Sequence, residues 1–270
     1  MPSHHIHQFP KSDTKQFHFI SGLPRSGTTL LSTILKQNPR FEASVSGPLA
    51  RFVRAVVQES SSQGGYRFEC PPEKRKNIIG GLFTNYHDDP TKDVAFNTNR
   101  GWGLLLPIVK DLYPQAKVLM CVRDIGWVLD SFETLQRKNP FTFTSMFSPE
   151  ENANVYTRCE ALLNPGRVLG FANNAVKQAL FSEHRKSIMV IEYDSLARDP
   201  ASMLRAIYNF IGEPFYQHDF DNVEASYDEF DEDVQLPGLH TTRKVVEFRP
   251  RDSILPPDIW QRVRGMEAWK

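Results

Sequence analysis

Residues 19–31 read FISGLPRSGTTLL. An apolar strand pattern runs into Gly22. A short loop, Leu23-Pro24-Arg25-Ser26, leads to Gly27 and two threonines, and a helical apolar pattern follows. A buried strand feeding a glycine-punctuated loop and then a helix is an anion-binding frame, because unpaired backbone N–H groups and the helix dipole both favour negative charge there. Gly22 supplies a backbone shape closed to other residues. Gly27 leaves room for an anion beside the main chain, and the N–H groups of Ser26 to Thr29 point at it. The spacing of Gly22 and Gly27, with Thr29 behind them, nearly matches the nucleoside-triphosphate pattern GxxxxGK[ST]. The lysine position holds Thr28. The cation stands earlier, at Arg25, so the loop keeps the phosphate cradle without the side chain that reaches a β- or γ-phosphate.

Outward from this stretch, strands and helices alternate. Strands are expected at Phe17–Ser21, Val94–Asn97, Lys117–Val122 and Ser187–Tyr193; the run KVLMCV at 117–122 is apolar enough to be covered on both faces. Helices are expected at Thr29–Lys36, then from Gly47-Pro48 along Leu49, Phe52, Val53, Val56 and Val57. Further helices are expected at Pro71–Tyr86, Trp127–Leu135, Arg167–His184, Pro200–Ile211 and Pro257–Trp269. Ser148-Pro149-Glu150-Glu151 has the form of a capping box and predicts a helix from there to Leu163. A polar, glycine-containing loop lies at 60–65. The pattern predicts an α/β fold: one three-layer α/β/α domain over residues 17–270, with a central parallel sheet and a P-loop-like strand–loop–helix. Residues 1–16 read as a flexible tail, whose His4, His5 and His7 lack further ligands for a metal.

Composition narrows the function. The chain has 270 residues, with 32 Lys+Arg against 32 Asp+Glu, a net charge of zero. That argues against nucleic-acid or anionic-membrane partners, which need a basic excess. A hydrophobic fraction of 40%, with 11% aromatic residues, supports a large core and excludes a disordered chain. Cys70, Cys121 and Cys159 are far apart and form neither a zinc pattern nor a disulfide framework, which points to a reducing compartment. The apolar run near Leu104–Val109 is too short to cross a bilayer, and the N-terminus lacks the pattern of a secretory signal, so the expected location is cytoplasmic. Residues 219–233 hold eight acidic residues and no Lys or Arg, and read as a solvated loop.

The segment Pro24-Arg25-Ser26-Gly27-Thr28-Thr29-Leu30 resembles the 5′-phosphosulfate loop of sulfotransferases that use 3′-phosphoadenylyl sulfate (PAPS). Its form is nearer the tyrosylprotein and bacterial branch than the cytosolic one. A second motif resembles the same family: the strand KVLMCV, then Arg123-Asp124, Trp127, Asp130 and Ser131. The stretch Ile191-Glu192-Tyr193-Asp194-Ser195-Leu196, followed by Asp199-Pro200, is similar to a family segment that joins the last strand to its helix. The resemblance covers about residues 17–215. It implies sulfuryl transfer from PAPS to a hydroxyl or amine, releasing 3′-phosphoadenosine 5′-phosphate (PAP), without a metal. It further implies that Arg25, Ser26, Gly27, Thr28 and Thr29 hold the 5′-phosphosulfate, and that Arg123 and Ser131 hold the 3′-phosphate. Arg100 stands where relatives carry a lysine. Arg243 and Lys244 lie in a loop-rich segment, 218–256, expected to cover the nucleotide. Arg25 is the expected catalytic cation.

The general base departs from the pattern. Where tyrosylprotein enzymes place a glutamate before a helix, this chain reads Ser44-Val45-Ser46-Gly47-Pro48. Glu42 is the nearest carboxylate, and His240 is a second candidate because imidazole can act near neutral pH. Glu69 and Asp124 are weaker ones. The acceptor, a small molecule or a peptide, is expected in a pocket shaped by helices 48–58 and 72–86 and by Phe141, Phe143, Met146 and Phe147. No nucleic acid and no membrane insertion are expected, and a homodimer is compatible with the reading. Two alternatives stand beside it: a small-molecule kinase with a variant P-loop, and a non-catalytic nucleotide-binding module.

Overall fold

The structure, a computed structural model, describes residues 15–61 and 65–270. The chain forms β1 (Gln16–Gly22), α1 (Thr28–Leu35), β2 (Phe41–Ala43), α2 (Leu49–Glu59), α3 (Pro72–Tyr86) and β3 (Val94–Thr98). After a 3-10 turn at Arg100–Gly103 come α4 (Leu106–Leu112), β4 (Val118–Val122), α5 (Ile125–Lys138), α6 (Val155–Leu163) and α7 (Val168–Leu180). The chain ends with β5 (Ile188–Glu192), α8 (Tyr193–Arg198), α9 (Pro200–Ile211), α10 (Asp228–Asp233) and α11 (Pro257–Val263). The strands make one sheet in the order β2-β3-β1-β4-β5. Every pairing is parallel, with Ile20 beside Thr98 on one flank and Leu119 on the other. The expected α/β architecture with a central parallel sheet is therefore present.

Side-chain alternation along the strands divides the core in two. Phe17 and Phe19 of β1, with Val118, Met120 and Val122 of β4, face helices α2 to α7 and α11. Ile20 of β1, Phe96 of β3, and Leu119 and Cys121 of β4 face α1, α8 and α9. This is why the central strands read as continuous apolar runs. The connection leaving β1 runs toward β2, whereas the connection leaving β4 runs toward β5. Their C-terminal ends therefore part between β1 and β4, the crevice in which open parallel sheets bind ligands.

Several sequence expectations need correction. The capping box at Ser148 forms, with Ser148 N–H donating to Glu151 Oε2 at 2.8 Å and Glu151 N–H to Ser148 Oγ at 3.3 Å. Only turns follow it. A second capping box, Asn154 with Thr157, opens α6 at Val155 instead. The terminal helix stops at Val263, ahead of Gly265 in the left-handed region (φ 80°). β2 and α4 were not foreseen: three residues are too few to show alternation, and Pro107, which breaks the apolar run 104–109, sits in the first turn of α4, where a missing N–H costs nothing. The acidic run contains α10, and its Asp231 is buried rather than solvated. At the other end Gln16 belongs to β1, and Lys15 donates to the carbonyls of His87 (2.7 Å) and Asp89 (2.8 Å). Lys15 and Gln16 are therefore anchored; the rest of the expected tail, with His4, His5 and His7, lies outside the described residues.

Candidate functional site

The loop after β1 is fixed by steric necessity. Gly22 has φ 130°, and a Cβ there would sit 1.9 Å from the Cys121 carbonyl oxygen of β4. Leu23 N–H donates to that same oxygen at 2.9 Å. Ser26 Oγ lies 2.6 Å from the Leu23 carbonyl and 3.0 Å from that of Cys121, so this buried hydroxyl holds the loop closed from inside. Arg25 adopts φ 58°, uncommon for a non-glycine residue and a conformation that accumulates where a backbone serves a ligand. Gly27, at φ 90°, is the N-cap of α1 and offers no side-chain cap. The helical ladder begins only with Leu31 N–H to Gly27 O at 2.9 Å. The preceding N–H groups, at the positive end of the helix dipole, thus open toward the crevice.

Two segments 98 and 106 residues away converge on this loop. Arg25 Nε donates to Ser131 Oγ of α5 at 3.0 Å, and Arg123 Nη1 donates to the Arg25 carbonyl at 3.4 Å. Arg123 lies over the Tyr193 ring, 4.4 Å from its centroid. A Cβ on Gly27 would come within 3.0 Å of that same ring. Tyr193 is therefore the wall between the loop and the second arginine. Arg123 Nε is buried and has no hydrogen-bond partner among the described residues. Burial holds the Arg25 guanidinium down at about 10, with Arg123 adding to the effect, and burial likewise lowers Arg123. Both remain cations at neutral pH. Two adjacent half-buried guanidinium groups, neither in an ion pair among the described residues, form a site that an anion would relieve.

A cover closes over the crevice. Arg25 Nη1 donates to the carbonyl of Leu239. The next residue, His240, holds Asp231 through its own N–H (3.0 Å) and through Nδ1 (2.7 Å). His240 is pushed below the usual imidazole range by burial; Asp231 opposes the shift, and Arg100 and Arg25 add to it. Further along, Asp130 is 0% exposed. It accepts from Ser253 Oγ and Ile254 N–H, both at 2.8 Å, and pairs with Arg251, whose guanidinium lies 5.0 Å from the Trp127 ring centroid. Loop, second arginine and cover together enclose a cavity of about 1470 Å³.

A family model described as the sulfotransferase family matches residues 18–217. The chain belongs to the sulfotransferase family. This sulfotransferase is 22% identical over 209 residues to a Caenorhabditis briggsae protein named "Putative protein-tyrosine sulfotransferase". The match covers 74% of this chain and 66% of that relative's length. Among solved structures, it is similar to the sulfotransferase domain of the Synechococcus PCC 7002 olefin synthase (TM-score 0.53, 20% identity, 95% of this chain and 97% of that one). It is also similar to a retinol dehydratase solved with retinol and PAP (TM-score 0.52, 13% identity, 95% of this chain and 81% of that one). These similarities show a shared fold.

The sulfotransferase cavity is bordered by Arg25, Gly27, Thr28, Thr29, Arg123 and Ser131, and on its β3 side by Arg100. Ser26, expected in the same set, does not border it: its hydroxyl is turned inward onto the Leu23 and Cys121 carbonyls. Arg243 borders the cavity, whereas Lys244 is exposed and does not; its carbonyl accepts from Val223 N–H at 2.8 Å. Of the four base candidates, His240 alone borders the cavity. Glu42 is turned away, bound by Lys15 (3.3 Å) and by His87 Nδ1 (2.7 Å). Asp124 caps α5 through Gly126 N–H at 2.9 Å and pairs with Lys270, and Glu69 is exposed outside the cavity. Met146 borders the cavity, but Phe141 and Phe143 point outward, Phe141 being 98% exposed. Sequence reasoning missed Tyr193, Asp231 and Arg251. The signals were present: an aromatic at a strand end, one acid nine residues before a histidine, and a basic residue eight positions after Arg243. Among the described residues no group of His, Cys, Asp or Glu could hold a metal ion.

Proposed function

We propose that this sulfotransferase uses PAPS as donor and passes its sulfuryl group to a hydroxyl or amine acceptor, releasing PAP. The observation that carries the reading is the convergence of Arg25, Ser131 and Arg123, with Arg123 Nε buried and unpartnered among the described residues. The residues fit such a nucleotide. The uncapped N-terminus of α1, with Thr28 and Thr29, suits a 5′-phosphosulfate. Arg123 and Ser131, with Arg251 across the crevice, suit a 3′-phosphate. Arg251 is near enough to Arg123 to depress its basicity, and Asp130 and Trp127 fix its position. Arg243 is a further cation that borders the cavity.

PAPS supplies an activated sulfuryl group on a good leaving phosphate; the protein has to position it and meet the charge that builds on the leaving oxygens. Arg25 is assigned that role. Two of its five N–H donors are spent on Ser131 and Leu239, which leaves three on a side chain that borders the cavity. Arg100, half-buried with its basicity lowered by burial and by Arg51, stands opposite. His240 is assigned the general base. With Nδ1–H donated to Asp231, the imidazole carries its lone pair on Nε2, where it takes the acceptor's proton. Burial keeps this ring neutral at physiological pH. The three cysteines are free and buried, which supports a reducing, cytoplasmic setting.

The test is turnover of PAPS by the wild type and Arg25→Lys, followed as PAP release with a mixed panel of phenols, alcohols and amines. Lysine keeps the charge but loses the planar fork. The expected result is a fall in kcat of about 10²–10³, with PAP affinity changed only a few-fold. Unchanged kcat would remove Arg25 from the chemistry.

A further inference from the structure

The cavity is electrically lopsided in a way the nucleotide does not explain. The nucleotide reading places the phosphates over β1 and β4, on one side of the sheet's switch point. The other half of the cavity lies over β3 and β2. It is bordered by Val45 to Pro48, by α2, by the turn after β3, and by the start of α7. Among the described residues, the lining of this half includes Arg51, Arg54, Arg100 and Arg167, and no Asp or Glu. The two carboxylates that border the cavity, Asp233 and Glu247, belong to the cover, and Glu247 is paired with Arg249.

Charge pairing separates these arginines further. Arg167 is neutralised by Glu151. Among the described residues, Arg51, Arg54 and Arg100 have no carboxylate partner, and Arg51 and Arg100 are close enough to lower the basicity of Arg100. Arg51 and Arg54 are three residues apart on α2, so they project from the same face, one turn apart. Beside them the wall is apolar: Val45, Ala50, Val168 and Phe171. A chain of zero net charge has thus gathered cations without carboxylate partners among the described residues around one half of this cavity.

We infer that the acceptor is anionic: a carboxylate stands beside an apolar body, and Arg51 and Arg54 receive it while the reacting hydroxyl or amine is directed toward Arg100 and His240. The inference rests on the nucleotide reading, because that reading sets which half of the cavity remains for the acceptor. Paired guanidinium forks match a carboxylate in two-point geometry, and an unpaired cluster gains most from such a partner. A neutral acceptor would leave three like charges facing it uncompensated.

The experiment uses the full chain saturated with PAP. Calorimetry compares 3-(4-hydroxyphenyl)propionate with its amide, an isostere without the charge. Both are then measured on Arg51→Gln/Arg54→Gln, whose exposed positions leave folding intact. The wild type is expected to bind the carboxylate about tenfold or more tighter than the amide. The double variant is expected to bind both at the amide's level, with PAP affinity within about twofold of wild type. Equal binding of acid and amide, no binding of the acid, or a preference that survives in the double variant would overturn the inference while leaving the nucleotide reading standing. Failure of PAP itself to bind would overturn that reading, and this inference with it.

Discussion

The loop after β1 and the cover from Gly212 onward face each other across the same cavity, and they are built by opposite means. The loop is held by backbone. Gly22 is wedged against β4, Leu23 and Ser26 bond to the Cys121 carbonyl, and the first turn of α1 has no side-chain cap. The cover has little regular structure beyond α10 and α11 and is pinned by a few side-chain pairs: Asp231 with His240, Arg25 with Leu239, and Asp130 with Arg251, Ser253 and Ile254. A rigid cradle bounded by two central strands suits a ligand part that never changes, the phosphates. A flap held by separable pairs suits a part that must open to exchange nucleotide.

That contrast breaks first at Gly22. A Cβ cannot be fitted 1.9 Å from a strand carbonyl, and φ 130° is a region that only glycine enters easily. Gly22→Ala should cost about 3–5 kcal/mol, a large fraction of the ~5–15 kcal/mol that holds a domain folded. Urea unfolding measures it, and a loss below about 1 kcal/mol would mean the cradle is softer than its geometry.

The cover should respond more gently, and in pH rather than in stability. Burial lowers the His240 ring and Asp231 raises it back. In Asp231→Asn the opposing influence is gone, so the ring's pKa falls further. The acid limb of kcat/KM, where protonation removes the base, should then move to lower pH. The rate above that limb should drop about tenfold or more, since the imidazole loses its orienting partner. A pH–rate profile of the two proteins decides it. An acid limb that stays in place would detach His240 from the proton transfer.

The same contrast explains what was legible. The loop is contiguous in sequence, and its glycines, apolar run and hydroxyls all sit within residues 19–31, so the strand–loop–helix was legible there. That Arg123 and Ser131 come together was readable because the end of one strand and the first turns of the next helix keep them in register, and both meet Arg25. The cover was not, because its contacts are long-range and lack period. Nothing local marks Asp130 as the anchor of a segment more than 120 residues later. The acidic run hid Asp231 among seven other acids, and burial is what distinguishes it. Glu42 shows the reverse error. It stood near the expected place in sequence, but β2 turns it into a network in which His87 accepts from Asn97 Nδ2 (3.0 Å), while Trp102 Nε1 occupies the Asn97 oxygen (3.1 Å). The indole can only donate, so it fixes the amide, the amide fixes the imidazole tautomer, and Glu42 is committed to receiving the Nδ1 proton.

The central claim is that two distant motifs build one site for a nucleotide phosphorylated at both the 3′ and 5′ positions. Titration calorimetry of wild type and Arg123→Ala with PAP and with AMP tests it most directly, because the two ligands differ only in the 3′-phosphate. The wild type should bind PAP about a hundredfold or more tighter than AMP, and Arg123→Ala should lose most of that difference, about 2–5 kcal/mol if the charge pair is fully desolvated, while leaving AMP affinity nearly unchanged. Equal affinity of the wild type for PAP and AMP would contradict the account.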